Sequence, residues 1–361
     1  MITSCGCNAN ALEYLKSFIS VNPVMGCTID CSYCFLTGYG IVPSAPKQVY
    51  AVGDIVDAMV SSPLFVPGQT VISINNRTEP FLNALTTRTT IDTVKAIAKR
   101  GLGNPVCITT KMAVDDYSLS TLANTAIGKL FLCVTYSGLP KTLEPLGHRS
   151  QEQTMRSMSK VKRDGMYLFH LFRPIMQGYN DSLQVMQDVM SFAMRYADCT
   201  VYTGVKIDNE IMARLRLKGN IVDDQQMQAY KHLPRGFQVA LQSIAHSGKR
   251  YPIFRHTSCA ISWALQTPDY NAYWDQGKCT ENCPNYHSCL PYVRVPTQSD
   301  VHHVLKRIGV EAGEAITRQA VYVNADMTLE QAAAARHMLK YPVRGISGPD
   351  VCSNVGGRIY Q

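Results

Sequence analysis

Between residue 18 and about residue 207, short β-branched runs alternate with longer stretches of helical period, and few folds accommodate that alternation. The runs are FISVNP, TVISIN (70–75), PVCITT (105–110), KLFLCVTYS (129–137), YLFHLFRPI (167–175) and CTVYTGVKI (199–207). Between them lie TIDTVKAIAKRG, SQEQTMRSMSKVKRDG and SLQVMQDVMSFAMRYA, amphipathic segments of which the first two stop at glycine, the usual helix terminator. Parallel strands need such crossovers. Six βα units fall short of the eight that close a barrel, so an open α/β barrel is expected, with its chemistry at the C-terminal strand ends. The 361 residues, 46% hydrophobic and 17% charged, suffice for one large domain and an appendage.

Three cysteines fall within eight residues directly behind the first run, in NPVMGCTIDCSYCFL. A disulfide framework belongs to short secreted chains with even cysteine counts; this chain has 13 cysteines and no apolar leader after its first methionine. A zinc site would call for a fourth ligand at finger spacing. The next cysteine is Cys107, and no histidine intervenes. Three thiolates can instead hold three irons of a 4Fe-4S cluster and leave the fourth open to a small molecule. A reducing, cytoplasmic setting keeps such thiols available, and no apolar run approaches the length of a membrane span. The formal charge of +8 is spread along the chain and reads first as a solvated basic surface, with a nucleic acid as the alternative partner.

The spacing Cys27-x3-Cys31-x2-Cys34, with Tyr33 before the last cysteine, resembles the signature of the radical SAM superfamily. The resemblance implies a partial (β/α)6 barrel, a cluster on Cys27, Cys31 and Cys34, and S-adenosylmethionine (SAM) chelated by the open iron and cleaved to a 5′-deoxyadenosyl radical. Further on, RTEPF, ITTK, LEPLGHRSQEQTMRSMSKVKRDG and PIMQGYND together resemble the spore photoproduct lyase group and its DNA-repair photolyase-like relatives, over about half the chain. By these resemblances Tyr33, Thr78, Glu79, Lys111 and Ser137 (with Thr135 as the alternative hydroxyl) surround SAM; Arg173, at the end of the fifth run, is expected to join them, its guanidinium being able to pair a carboxylate in two-pronged fashion. Two departures stand out. Asn75, Asn76 and Arg77 replace the two glycines that commonly precede the glutamate, and PIMQG lacks a proline of the group pattern.

A second cysteine set lies in RHTSCAISWALQTPDYNAYWDQGKCTENCPNYHSCLP. Cys259, Cys279, Cys283 and Cys289 would saturate either a second 4Fe-4S cluster or a tetrahedral zinc, and beside a radical SAM core the auxiliary cluster is the expected occupant. His256 and His287 are alternative ligands. Cys107, Cys133 and Cys199 sit in apolar runs and read as buried packing thiols. Cys5 and Cys7 precede the first strand with no assigned role. The lyases use a cysteine as hydrogen-atom donor, and Cys352, in the Gly-rich tail, is the residue expected to match it.

The chain thus divides into an N-terminal segment (1–17), a barrel (18–250), a cysteine-rich segment (251–295) and a small C-terminal α/β domain with its tail (296–361), in which Thr328 caps the last helix. That domain is expected to cover the barrel, grip a substrate or mediate self-association. The expected function is a radical SAM enzyme acting on a small molecule or peptide, supplied with electrons by a reductant such as a flavodoxin or ferredoxin. The alternatives are lyase-like action on a nucleic acid and a non-catalytic iron-sulfur or zinc protein.

Overall fold

The computed structural model describes residues 11–345 apart from 16, 147–148, 207, 218–230, 232, 248–249, 277–282, 285, 290 and 292. Its strands are β1 (Leu12–Tyr14), β2 (Ile19–Val21), β3 (Val24–Met25), β4 (Lys47–Gln48), β5 (Ile72–Ile74), β6 (Val106–Thr110) and β7 (Leu130–Thr135). They continue as β8 (Met166–Ile175), β9 (Cys199–Gly204), β10 (Ile253–Phe254), β11 (Glu314–Ile316), β12 (Val321–Val323) and β13 (Val343–Gly345). The crossover helices are α1 (Val52–Val60), α2 (Ala84–Lys99), α3 (Asp116–Thr125), α4 (Arg149–Val161), α5 (Leu183–Tyr196), α6 (Asn209–Leu217) and α7 (Phe237–Ala245). After them come α8 (Thr257–Leu265), α9 (Tyr286–Cys289), α10 (Gln298–Arg307) and α11 (Leu329–Leu339).

The main sheet has eight strands in the order β1-β2-β5-β6-β7-β8-β9-β10, with β1 and β10 as its edges. All six expected strands are present in parallel succession. Two edge strands join them: β1, antiparallel to β2, and β10, parallel to β9. These add-ons are three and two residues long, too short for a period to be read from sequence. Helix starts follow their side chains: Asn83 caps α2 in a reciprocal box with Thr86, and Asp115, Ser182 and Thr328 cap α3, α5 and α11.

Both faces of the sheet are apolar, as parallel sheets covered on two sides require. Alternate residues such as Ile72, Ile108, Leu132 and Leu168 join one core, while Cys107, Phe131, Cys133, Phe169, Cys199 and Val201 belong to another. Onto the second face pack Cys259, Ala260, Ile261 and Ala264 of α8, together with Tyr270 and Tyr273. The cysteine-rich segment therefore supplies part of the inner core. Cys107, Cys133 and Cys199 are fully buried, and the Cys107 and Cys133 sulfurs lie 3.6 Å apart.

His170, on β8, is fully buried with Nδ1 2.9 Å from the Thr200 hydroxyl and Nε2 2.9 Å from the Tyr136 carbonyl oxygen. Burial pushes its pKa down from 6.5 to about 4. A histidine depressed on folding gives the unfolded chain the greater proton affinity between those values, so stability present above pH 6.5 is lost as pH falls toward 4. The expected extra loss is about 3 kcal/mol. Denaturant midpoints across that window should fall more steeply for the parent chain than for His170→Asn; equal slopes would refute the assignment.

The C-terminal unit is a three-stranded sheet, β11-β12-β13, with α10 and α11. Its contacts place it otherwise than over the mouth. Arg307 donates to the carbonyls of Pro63 and Phe65, and Gln69 donates to that of His337, all on the loop entering β5. His337 joins Tyr14 (2.9 Å) to Asn271 (3.2 Å). The unit thus braces β1 and the entrance of β5, at the end of the sheet opposite the expected chemistry.

Candidate functional site

The loop after β2 carries Cys27, Cys31 and Cys34, and its path is fixed locally. Gly26 has φ +107°, and a Cβ there would meet the Ala45 carbonyl oxygen at 2.5 Å, so the position admits glycine alone. The Gly26 N–H donates to the Arg77 carbonyl at 3.1 Å, and the Thr78 hydroxyl donates to the Gly26 carbonyl. The Ser32 N–H and hydroxyl donate to the carbonyls of Leu143 (3.0 Å) and Thr142 (3.1 Å). Cys27 and Cys31 are buried and Cys34 half-buried. Burial pushes the Cys27 and Cys31 thiols up to about 11 and about 12, and Cys31 also senses Lys111, Glu144, Cys34 and Cys27. Metal binding acts the other way, since a coordinated thiol is deprotonated outright.

Around the loop stand residues from three strand ends. Lys111, after β6, places Nζ 2.9 Å from Glu144 Oε2 and 2.9 Å from the Tyr33 hydroxyl, and Tyr33 also donates to Glu144. Glu79, after β5, accepts from the Thr110 hydroxyl and, at 2.9 Å, from the Lys111 N–H. Burial pushes the Glu79 carboxyl up to about 6 against these hydrogen bonds. Tyr33, Glu79 and Lys111 are thus brought together. Glu144, in the LEPLGHRS stretch, is fully buried, and it gains its partners only where the turn after β7 meets the cysteine loop.

The substituted glycine motif has a physical account. Asn75 adopts φ +56°, a left-handed conformation that asparagine tolerates, and its amide donates to Thr90 at 2.8 Å. Asn76 is linked to Ser20 and Ser73 at 3.0 Å each. Arg77 turns back to Glu13 on β1 with two hydrogen bonds of 2.7 Å, its guanidinium 4.2 Å from the Tyr39 ring centroid.

Other expected contacts are engaged within the protein. The Ser137 hydroxyl accepts from the Leu139 N–H at 3.2 Å, and Arg173 donates to the Thr257 hydroxyl at 3.3 Å. Thr135 is buried at the end of β7.

Of the second cysteine set, Cys259 lies on α8, Cys289 on α9, and Cys283 just before α9. The Cys289 sulfur accepts from the Asp269 N–H at 3.1 Å. The neighbouring Tyr270 hydroxyl donates to the Ser17 carbonyl at the entrance of β2, the end of that strand opposite the cysteine loop. Three buried polar atoms of this segment, Ser262 Oγ, Asn271 Nδ2 and Trp274 Nε1, have no hydrogen-bond partner among the described residues. His256 stacks on Tyr273, with ring centroids 3.9 Å apart. Cys5, Cys7, Cys279, Cys352 and the side chain of His287 lie outside the described residues. Among the described residues, no three His, Cys, Asp or Glu side chains already form a ligand cage.

No protein-family model matches the chain, and no curated protein matches it. Solved structures do. A point variant of spore photoproduct lyase aligns with a TM-score of 0.55 and 14% identity, over 69% of this chain and 80% of the other. The lyase complexed with dinucleoside spore photoproduct aligns at 0.54 and 13% identity, over 68% and 79%. A doubly substituted variant with bound AdoMet and dinucleoside spore photoproduct aligns at 0.53 and 14%, over 71% and 79%. The chain shares the fold of these solved structures, an open and mostly parallel α/β sheet of partial-barrel type. No helix among the described residues is long and apolar enough to cross a membrane.

Proposed function

We propose that this chain is a radical SAM enzyme that modifies a small-molecule or peptide substrate at the C-terminal strand ends. The observation that carries the reading is the gathering of three thiols, the Tyr33–Lys111–Glu144 cluster and the Glu79 carboxylate around one loop of a radical SAM-type sheet. The donor set fits a 4Fe-4S cluster: three thiols on a braced loop, with neighbouring polar groups for a SAM molecule. Such a cluster, when bound, supplies the electron that cleaves SAM. Tyr33, Thr78 and Lys111 hold the loop and its neighbours in place, Glu79 offers a carboxylate to the SAM amino group, and Ser137 and Arg173 line the approach from β7 and β8. Cys352 remains the proposed hydrogen-atom donor.

Cys259, Cys279, Cys283 and Cys289 are proposed to hold a second cluster. The unpartnered Ser262 hydroxyl, on α8 three residues after Cys259, supports a polar occupant there. Because Asp269 and Tyr270 lie toward the entrance of β2, electron transfer or structural support suits this group better than substrate binding. A reductant such as a flavodoxin or ferredoxin is the proposed electron source, in a cytoplasmic setting.

One observation favours a nucleic acid as the alternative substrate. Phe35, on the cysteine loop, is 41% exposed, and the cations of Lys206 and Arg77 each lie 5.9 Å from its ring centroid. An exposed ring beside the Lys206 ammonium suits a stacked base and its phosphate, Arg77 being buried against Glu13. Cluster-loaded protein should therefore be incubated with SAM, a reductant and panels of peptides, small molecules and oligonucleotides, and 5′-deoxyadenosine measured. Stimulation by peptides or small molecules is the expected result. Stimulation by oligonucleotides alone, with affinity falling by about 0.9 log units per log unit of salt for each duplex phosphate contacted, would replace it.

A further inference from the structure

Glu144 is buried completely at the end of a turn in which the Leu143 and Glu144 N–H groups donate to the Pro140 carbonyl, at 2.9 and 3.0 Å. A buried carboxylate is costly unless paired and hydrogen-bonded. Here one oxygen, Oε2, takes both the Tyr33 hydroxyl and the Lys111 ammonium, and Oε1 is 3.5 Å from the Gln151 amide. The same turn receives both donors of Ser32. Four donors on residues 32, 33 and 111 therefore converge on residues 142–144, and two of the residues they come from lie between Cys31 and Cys34. The cysteine loop is pinned from this side by one short segment that carries a formal charge.

We propose that Glu144 is a positioning residue of the cysteine loop, and that the Glu144–Lys111 ion pair sets the reduction potential of the cluster on Cys27, Cys31 and Cys34. The inference rests on the cluster reading above. Reduction adds one electron, so an adjacent carboxylate opposes it and an adjacent ammonium favours it; net charge and hydrogen bonding around a cluster are the main determinants of its potential. Both charges lie against the loop: Glu144 accepts from the hydroxyl of Tyr33, which stands next to Cys34 and two residues after Cys31. Lys111 also donates to Tyr33 directly, so the pair acts on the loop through position as well as charge.

The test is a redox titration of anaerobically reconstituted protein, followed by electron paramagnetic resonance, after iron has been counted in each variant. Glu144→Gln keeps an acceptor for Tyr33 and removes the negative charge, so its midpoint potential should rise. Lys111→Met removes the cation and should lower the potential, and the double variant should return toward the parent value. A merely structural role would leave the midpoints unchanged or move both single variants in the same direction; either outcome overturns the proposal. Should Glu144→Gln fail to fold, Lys111→Met decides alone, a rise or no change being contrary. A parent chain that takes up no cluster would instead defeat the underlying reading, so the two failures are distinguishable.

Discussion

Replacing Cys27, Cys31 and Cys34 together by alanine is expected to remove about four of about eight irons from the reconstituted protein, one of the two 4Fe-4S clusters proposed. The first set lies on a loop braced by Gly26, Ser32 and Tyr33; of the second, Cys259 lies on α8 and Cys289 on α9, and no residue is common to both sets. The loss should therefore be partial in iron and complete in SAM cleavage. Iron and zinc determinations on the parent and the triple variant check this. One zinc beside one cluster would reject the second-cluster assignment while sparing the first.

The largest expected effect on stability is at Arg77. Its guanidinium is 2% exposed, and Glu13, its partner on β1, is 12% exposed. Removing one member of a buried pair leaves an uncompensated charge, and Arg77→Met should cost about 3–5 kcal/mol. Burial already raises the Glu13 carboxyl even with Arg77 in place, so some of that cost will be avoided by protonation at low pH. Glu13→Leu combined with Arg77→Met should recover most of the loss, because apolar replacement of a buried pair is often neutral. Urea unfolding of the single and double variants would measure it. Equal destabilisation of the two would show that Arg77 acts through its packing over Tyr39 instead.

Much of the scaffold was legible because parallel strands are written as β-branched runs, and all six runs fall on strands. Tyr33, Glu79 and Lys111 were legible for a related reason: each follows a strand, where a parallel sheet gathers its chemistry. Glu144 was not. It lies 33 residues beyond Lys111 in a turn between β7 and α4, and only the three-dimensional meeting of that turn with the cysteine loop gives it partners. Arg77 likewise shows no periodic signal, since its partner belongs to a strand of three residues. The seat of the C-terminal unit was equally hidden. It depends on Arg307, His337 and Glu330 meeting Phe65, Tyr14 and Gln69, contacts between residues more than two hundred positions apart.

The loop of Cys27, Cys31 and Cys34 is proposed to support cleavage of SAM. Anaerobic incubation of the iron-loaded chain with SAM and dithionite, analysed for 5′-deoxyadenosine and methionine, tests it most directly. Both products should form with the parent chain, and neither with the triple alanine variant. Intact SAM recovered from an iron-replete parent chain would contradict it.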